Sequence, residues 1–475
     1  MASEGSRVEA FFESASRFCW ATALFGVKQL GGILSPGDAD HAAAALDSVT
    51  RAAEGQLDES LGRAFRAGDR LQRGLWDLAY GLLTPDAFTS RGMTRLSLNV
   101  LQQSAGVLGQ LVPAGEGRAA LQEFRSKLQV FDLFENVDTL LRLPRGAGLP
   151  LSEMVGRASR LDPFLAVWAT EGVGHYYAEA AWESGGVARG LLKGAATRGV
   201  PAKSMAALHA GMGLSLANRL LAAVGRQCRG CPPHSDHRSA LRRFVALCRD
   251  NADEGYVGAT YEALGMVARN LYPHLVPYID RLLSEAGGDL ADYFWHGVGR
   301  AIYFAPTNYL PLASATRRAA EMALREPPHQ LGRQNALSGV AWALLLVNLR
   351  HPEVIENFLR QCTDAAPDSD AVANGMSSAA VIWRDSTEGD TYLDALCLHR
   401  PDPSYPALTE RWLRLVATPC RRALDEYYGA LKRRGRVGEV FRYQSLPALA
   451  GDLTRAAREE GAAGRAGGRD CAGGV

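Results

Sequence analysis

Glu171-Gly-Val-Gly174 returns, with small changes, five more times along the chain. The further copies are Ala210-Gly-Met-Gly213, Glu262-Ala-Leu-Gly265, His296-Gly-Val-Gly299, Ser338-Gly-Val-Ala341 and Asn374-Gly-Met-Ser377. Counted at the second position, the steps are 39, 52, 34, 42 and 36 residues. Steps of this size match a helix–turn–helix unit and predict a repeat architecture. Each copy sits in a stretch that reads as helix. Asp162-Pro163 supplies an N-cap and a first-position proline, and the apolar run continues to Trp182. Pro201, Asp289, Pro328 and Pro367-Asp368 stand 7 to 11 residues ahead of other copies.

Glycine inside a helix costs about 1 kcal/mol relative to alanine. Six recurrences of small residues need an offsetting gain, and close approach of neighbouring backbones supplies one. The two small positions are i and i+2, about 200° apart around the axis, so each helix is flanked tightly on both sides. Helices flanked by like neighbours build a ring or a solenoid. The fold class expected is all-α: helical-hairpin repeats forming an α/α toroid or closed solenoid, with a further helical region at the N-terminus.

Two faces remain on each helix. Val173, Tyr176, Tyr177 and Ala180 define an apolar one, repeated by Val298, Ala301, Ile302 and Ala305, and it should pack on an outer helix layer. The opposite face carries Trp168, Glu171 and His175 in the first copy, and Glu262 and Arg269 in the third. The fourth supplies Tyr293, His296, Arg300 and Tyr303, the fifth Asn335, Ser338 and Trp342, the sixth Asn374 and Ser378. In a closed ring this face lines a central cavity; in an open superhelix it lines a concave groove; a solvated outer face is the plain alternative. Three exposed-unfriendly aromatics, a near absence of Lys, and recurrence of His and Glu at one register favour an interior.

The 475 residues carry 52 basic and 51 acidic side chains, a net charge of +1 that offers no electrostatic case for nucleic acid or an anionic membrane. Only Lys28, Lys127, Lys193, Lys203 and Lys432 are lysines; with abundant Ala and Gly, this suggests a GC-rich bacterial genome. No uncharged apolar span is long enough for a transmembrane helix, and Glu4, Arg7 and Glu9 follow Met1 where a signal peptide would turn apolar. A cytoplasmic protein is expected. Eight scattered cysteines do not make a disulfide framework.

The expected organisation is an N-terminal helical region over 1–145, the repeats over 151–400, capping helices over 401–460 and a Gly/Ala-rich disordered tail over 461–475. Pro144 to Pro150 reads as a hinge.

Among candidate sites, Glu171, His175, Glu262 and His296 share one helical register. Carboxylate and imidazole across a cavity suit general acid–base chemistry, because burial tunes both toward neutrality. Trp168, Tyr293 and Trp342 would wall the ligand site, Arg300 would hold an anionic group and Asn374 would orient a carbonyl. The competing account is that these groups only satisfy one another between helices. Cys228, Cys231, His234 and His237 are residue types that zinc prefers, although four ligands within ten residues would need a sharply folded loop. A structural zinc is possible there, and no other cofactor is expected. Asp385 and Glu388-Gly-Asp390 read as a solvated acidic stretch. No phosphate-cradling loop and no serine nucleophile elbow is present.

Trp295-His296-Gly297-Val298-Gly299 is similar to the His-Gly phrases of lanthipeptide cyclase toroids. That family's Cys-Cys-His zinc site has no counterpart in these repeats, so the likeness implies architecture and not cyclase chemistry. Thr260-Tyr-Glu-Ala-Leu-Gly-Met266, followed by Trp295-His-Gly-Val-Gly-Arg300, resembles an uncharacterised bacterial family recurrent in natural-product gene clusters, including those for enediyne polyketides. The resemblance spans about residues 160–385 and implies a fold and a setting, with no residue roles. The leading expectation is a soluble bacterial enzyme or enzyme-like protein of specialised metabolism that binds a hydrophobic or polyketide-like small molecule in a central cavity. The rival is a non-catalytic helical scaffold that binds a protein or peptide on its concave face.

Overall fold

The computed structural model describes residues 116–144, 149–183, 189–227, 236–305, 308, 315–361, 369–389 and 392–451. Helices expected before residue 116 and the tail after 451 lie outside them. The described residues are helical and irregular, with no strand among them. Helix α1 spans Glu116–Glu135 and α2 Leu151–Ala158. Six longer helices carry the glycine phrases: α3 (Pro163–Glu183), α4 (Met205–Gln227), α6 (Val257–Leu271), α8 (Leu290–Tyr303), α10 (Gln330–Val347) and α12 (Ser369–Ser386). Between them stand α5 (Asp236–Asn251), α7 (Val276–Ala286), α9 (Ala315–Arg325) and α11 (Pro352–Gln361).

The local signals act as chemistry requires. The Asp162 carboxylate accepts from the Phe164 amide at 3.0 Å and starts α3. His329 Nδ1 accepts from the Gly332 amide at 2.9 Å and starts α10. The connecting helix α9 is amphipathic, burying Ala315, Thr316, Ala319, Ala320 and Ala323 on one side. By contrast α10 is buried almost all round, from Asn335 to Val347.

The phrase helices pack in chain order, α3 on α4, α4 on α6, α6 on α8, α8 on α10 and α10 on α12. Glycine sets the spacing. A β-carbon on Gly297 would lie 2.0 Å from the Glu262 carbonyl oxygen, and one on Gly265 would lie 1.9 Å from that of Phe294. The next junction repeats the exchange: Gly299 faces the Ala336 carbonyl at 1.9 Å and Gly339 faces that of His296 at 2.1 Å. Gly297 and Gly299 therefore meet different neighbours, α6 and α10, from opposite sides of one helix. The helices run parallel across these junctions. Asn335 donates to Asp292 at 2.9 Å near the starts of α8 and α10, and Asn348 donates to the Tyr303 hydroxyl at 2.8 Å near their ends.

After α12 come α13 (Tyr392–Leu398) and a long helix, α14. It begins at Pro406–Trp412. It runs through two π-helical stretches, Leu413–Ala417 and Ala423–Tyr428, to Gly429–Arg433. A 3₁₀ turn at Val437–Phe441 then lies against α6, α8 and α12. Asp385 overturns its expected solvated setting. It is buried at the end of α12 and accepts from Tyr256 (2.8 Å), Tyr428 (3.1 Å) and Lys432 (2.6 Å). This cluster fastens α14 to the ends of α12 and α6.

At the other end, Lys127 of α1 is fully buried. Its ammonium lies 2.7 Å from Glu123, donates to the Asn308 carbonyl at 2.9 Å and sits 3.9 Å over the Tyr303 ring. Those contacts anchor α1 beside the end of α8.

Candidate functional site

Three of the register residues meet in one buried group. Glu262 on α6 is the centre: its Oε1 accepts from His296 Nδ1 at 2.5 Å and its Oε2 accepts from Arg300 Nη1 at 2.5 Å. His296 and Arg300 are one helical turn apart on α8, so a single face presents both to the carboxylate. Glu262 and His296 are 0% exposed and Arg300 is 2% exposed. The tight Gly297 junction holds α8 at the distance these bonds need.

Trp342 of α10 closes the group on the next side. The Arg300 guanidinium lies 4.1 Å from its ring centroid, and the His296 ring meets it edge-on at 6.3 Å. A desolvated guanidinium over indole is favourable by about 2 kcal/mol. Glu171 reaches in from α3, with Oε1 3.7 Å from Arg300 Nη2. Burial pushes the Glu171 carboxyl above its ordinary range; Arg300 opposes this and Glu262 adds to it.

His175 does not join them. It lies four residues after Glu171, as expected for one face, but its ring packs on Phe134 with centroids 5.3 Å apart, while Glu171 turns to Arg300. Burial pushes its imidazole below 6.5, so it is neutral at pH 7. Arg269, expected on the same inner face, lies at the periphery, bidentate to Glu326 at 2.7 and 2.8 Å.

The aromatic residues expected to wall a cavity are packed into protein. Trp168 lies edge-on to Phe164 at 6.3 Å, and Tyr293 edge-on to Tyr261 at 5.8 Å. Asn374 accepts from Ser338 Oγ at 3.2 Å and donates to the Gln444 carbonyl. An apolar cavity of about 20 Å³ exists between α4, α5 and α7, beside Leu221, Val224, Leu264 and Ile279. It touches none of the register residues.

No protein-family model, curated protein or solved structure matches this chain.

What the buried group offers chemically is set by its unpaired atoms. With Nδ1 committed to Glu262, the imidazole tautomer is fixed and Nε2 is the acceptor. Nε2 is buried and has no protein partner; neither have Arg300 Nε, Trp342 Nε1 and Trp168 Nε1. Buried polar atoms are nearly always paired, so these atoms are open to a further partner, water included. Arg300 alters the expected role. Its charge is already answered by Glu262, so it offers N–H donors and not a free positive charge for an anion.

Cys228, Cys231 and His234 lie outside the described residues, as does the side chain of His237. Among the described residues no group of three or more His, Cys, Asp or Glu side chains is disposed to hold a metal ion. No helix among them is long and apolar enough to cross a membrane. Sequence reasoning missed Phe441, whose ring packs on Trp342 with centroids 5.8 Å apart. Its only signal was an aromatic–Arg–aromatic run, Phe441-Arg442-Tyr443, beyond the last expected glycine pair.

Proposed function

We propose that this chain binds a small molecule at the Glu262–His296–Arg300 group and that His296 Nε2 exchanges a proton with it. The observation that carries this reading is the pairing of a fixed Nδ1–Glu262 bond with an unpartnered, fully buried Nε2. Glu262 holds the tautomer and stabilises the imidazolium once formed. Glu171, whose carboxyl burial pushes above its ordinary range, is the complementary acid in this reading. The charges of Glu262 and Arg300 already cancel, so the favoured ligand is neutral and oxygen-bearing: a hydroxyl donating to Nε2, or a carbonyl accepting from Arg300 Nε and Trp342 Nε1. Parting Phe441 from Trp342 would free apolar surface suited to a hydrophobic or polyketide-like body.

The same reading takes the phrase helices as a closed or nearly closed ring of repeats. The parallel packing of each phrase helix on the next supports a ring or solenoid of repeats, and Phe164 at the start of α3 touches Trp383 at the end of α12, with ring centroids 6.0 Å apart. A soluble bacterial protein of specialised metabolism is the setting we propose.

The test is a thermal-shift panel of neutral hydroxy and keto compounds, aromatic and polyketide-like. Binding to the folded state alone raises the melting temperature by mass action. We expect compounds that raise it for the native chain and not for His296→Gln. If every compound acts equally on both proteins, or on neither, the reading is lost.

A further inference from the structure

The buried group is closed off by one short segment of the chain. Phe441 rests on Trp342, which itself touches His296 and Arg300. Behind Phe441 the chain is held at both ends. Gly258 and Gly438 approach so closely that a β-carbon on Gly258 would lie 2.0 Å from the Gly438 carbonyl oxygen, and Leu446 is buried. Between these points the attachments are polar: Arg442 reaches the exposed Asp289, while Asn335 and Asn374 hold the segment from buried positions. Arg442 Nη2 lies 3.1 Å from Asp289 and donates to Glu439 at 2.7 Å; its Nη1 lies 3.8 Å from Asp292. The Tyr443 amide donates to Asn335 Oδ1 at 2.7 Å, and Asn335 in turn donates to Asp292 at 2.9 Å. Asn374 donates to the Gln444 carbonyl.

These facts divide the segment into two parts with different physics. The glycine contact is backbone on backbone and does not yield. The remaining contacts are side-chain hydrogen bonds and ion pairs; the Arg442 pair with Asp289, whose side chain is 60% exposed, is modest in strength and screened by salt. Local opening draws on segments attached through side-chain bonds of this kind. Val440 and Phe441, both buried, are the apolar side chains that would leave their seats.

We infer that residues 439–445 are a latched cover over the His296 site, released when Arg442, Asn335 and Asn374 let go together. The purpose of the cover rests on the acid–base reading above; its existence does not. A ligand reaches His296 Nε2 only with the cover lifted. The latch then sets how often the site is accessible, and ionic strength tunes it. Asn335 and Asn374 act as positioning residues that read the backbone of the cover.

Diethyl pyrocarbonate acylates an unprotonated imidazole nitrogen and reports access without knowledge of the ligand. The full-length chain is treated at neutral pH, and modification of His296 and His209 is quantified by peptide mass spectrometry. His209 is fully buried with both ring nitrogens bonded to backbone, so it responds to opening of the core. We expect His296 to be labelled roughly tenfold faster in Arg442→Ala and in the pair Asn335→Ala/Asn374→Ala, with His209 unchanged. In the native chain, added salt should speed His296 alone. If Arg442→Ala does not fold, this salt series on native protein carries the test by itself. Unchanged labelling of His296 overturns the cover. So does acceleration of His209 in step with His296, because the whole core is then opening. Failure of the ligand panel would remove the proposed chemistry and leave this labelling pattern untouched, so the two ideas fail separately.

Discussion

Gly297 packs against the residue that its own neighbour bonds. The space where its side chain would be is filled by the Glu262 carbonyl, 2.0 Å from an ideal β-carbon, while the Glu262 carboxylate holds His296 at 2.5 Å. One residue thus receives both the backbone contact and the side-chain bond, and the helix junction and the candidate site are a single construction.

Gly297→Ala should therefore cost upward of about 3 kcal/mol, because a methyl group cannot be admitted without moving α8 off α6. Gly156→Ala makes the contrast. Gly156 lies within α2 with nothing within 4 Å of a β-carbon, so alanine should stabilise by about 0.5–1 kcal/mol. Urea unfolding of both variants checks the pair. Similar values for the two would refute the junction argument.

Glu262→Ala strands the Arg300 charge in the interior. The expected loss is about 3–5 kcal/mol. Replacing both residues, as Glu262→Met with Arg300→Met, should recover much of that loss, since no charge is left without a partner. A double-mutant cycle by chemical denaturation decides it; strictly additive losses would mean that the pair is not coupled.

His209 predicts an acid limb. Its Nε2 accepts from the Asp253 amide at 2.9 Å, which leaves Nδ1 to donate to the Met205 carbonyl at 2.6 Å and fixes the neutral ring. Burial pushes the imidazole from 6.5 down to about 4. The unfolded chain binds the proton first, so stability is fully present above about pH 6.5 and falls as pH drops toward 4, by roughly 3 kcal/mol from this group. Stability measured against pH should show that slope, and His209→Gln should flatten it.

Asp385→Asn keeps the shape of the buried cluster and removes the charge that Lys432 answers at 2.6 Å. We expect a loss of about 2–3 kcal/mol, with faster amide exchange at the end of α14. Exchange that quickens evenly over the whole chain would argue against a local fastening.

The all-helical class and the tight seams were legible because small residues at i and i+2 leave a mark that composition alone cannot imitate. The grouping of Glu262, His296 and Arg300 was legible because all three fall on one strip of a helical wheel. Burial of that strip against protein was not. Phe441 comes from far along the chain, and no periodicity links it to Trp342. The direction of His175 was equally hidden, since Phe134, which turns it away from Glu171, belongs to α1. Asp385 was misjudged because an acidic residue near a helix end has the same sequence signature whether water or Lys432 and two phenols surround it.

The reciprocal glycine junctions also constrain how such a chain can change length. One residue added within α8 would rotate everything beyond it by about 100° and swing Gly299 away from the Ala336 carbonyl it fits. Insertions and deletions are therefore confined to the stretches that link one phrase helix to the next. Uneven steps of 34 to 52 residues between phrases that hardly vary are the record expected of a lineage that edits its connectors and leaves its seams alone.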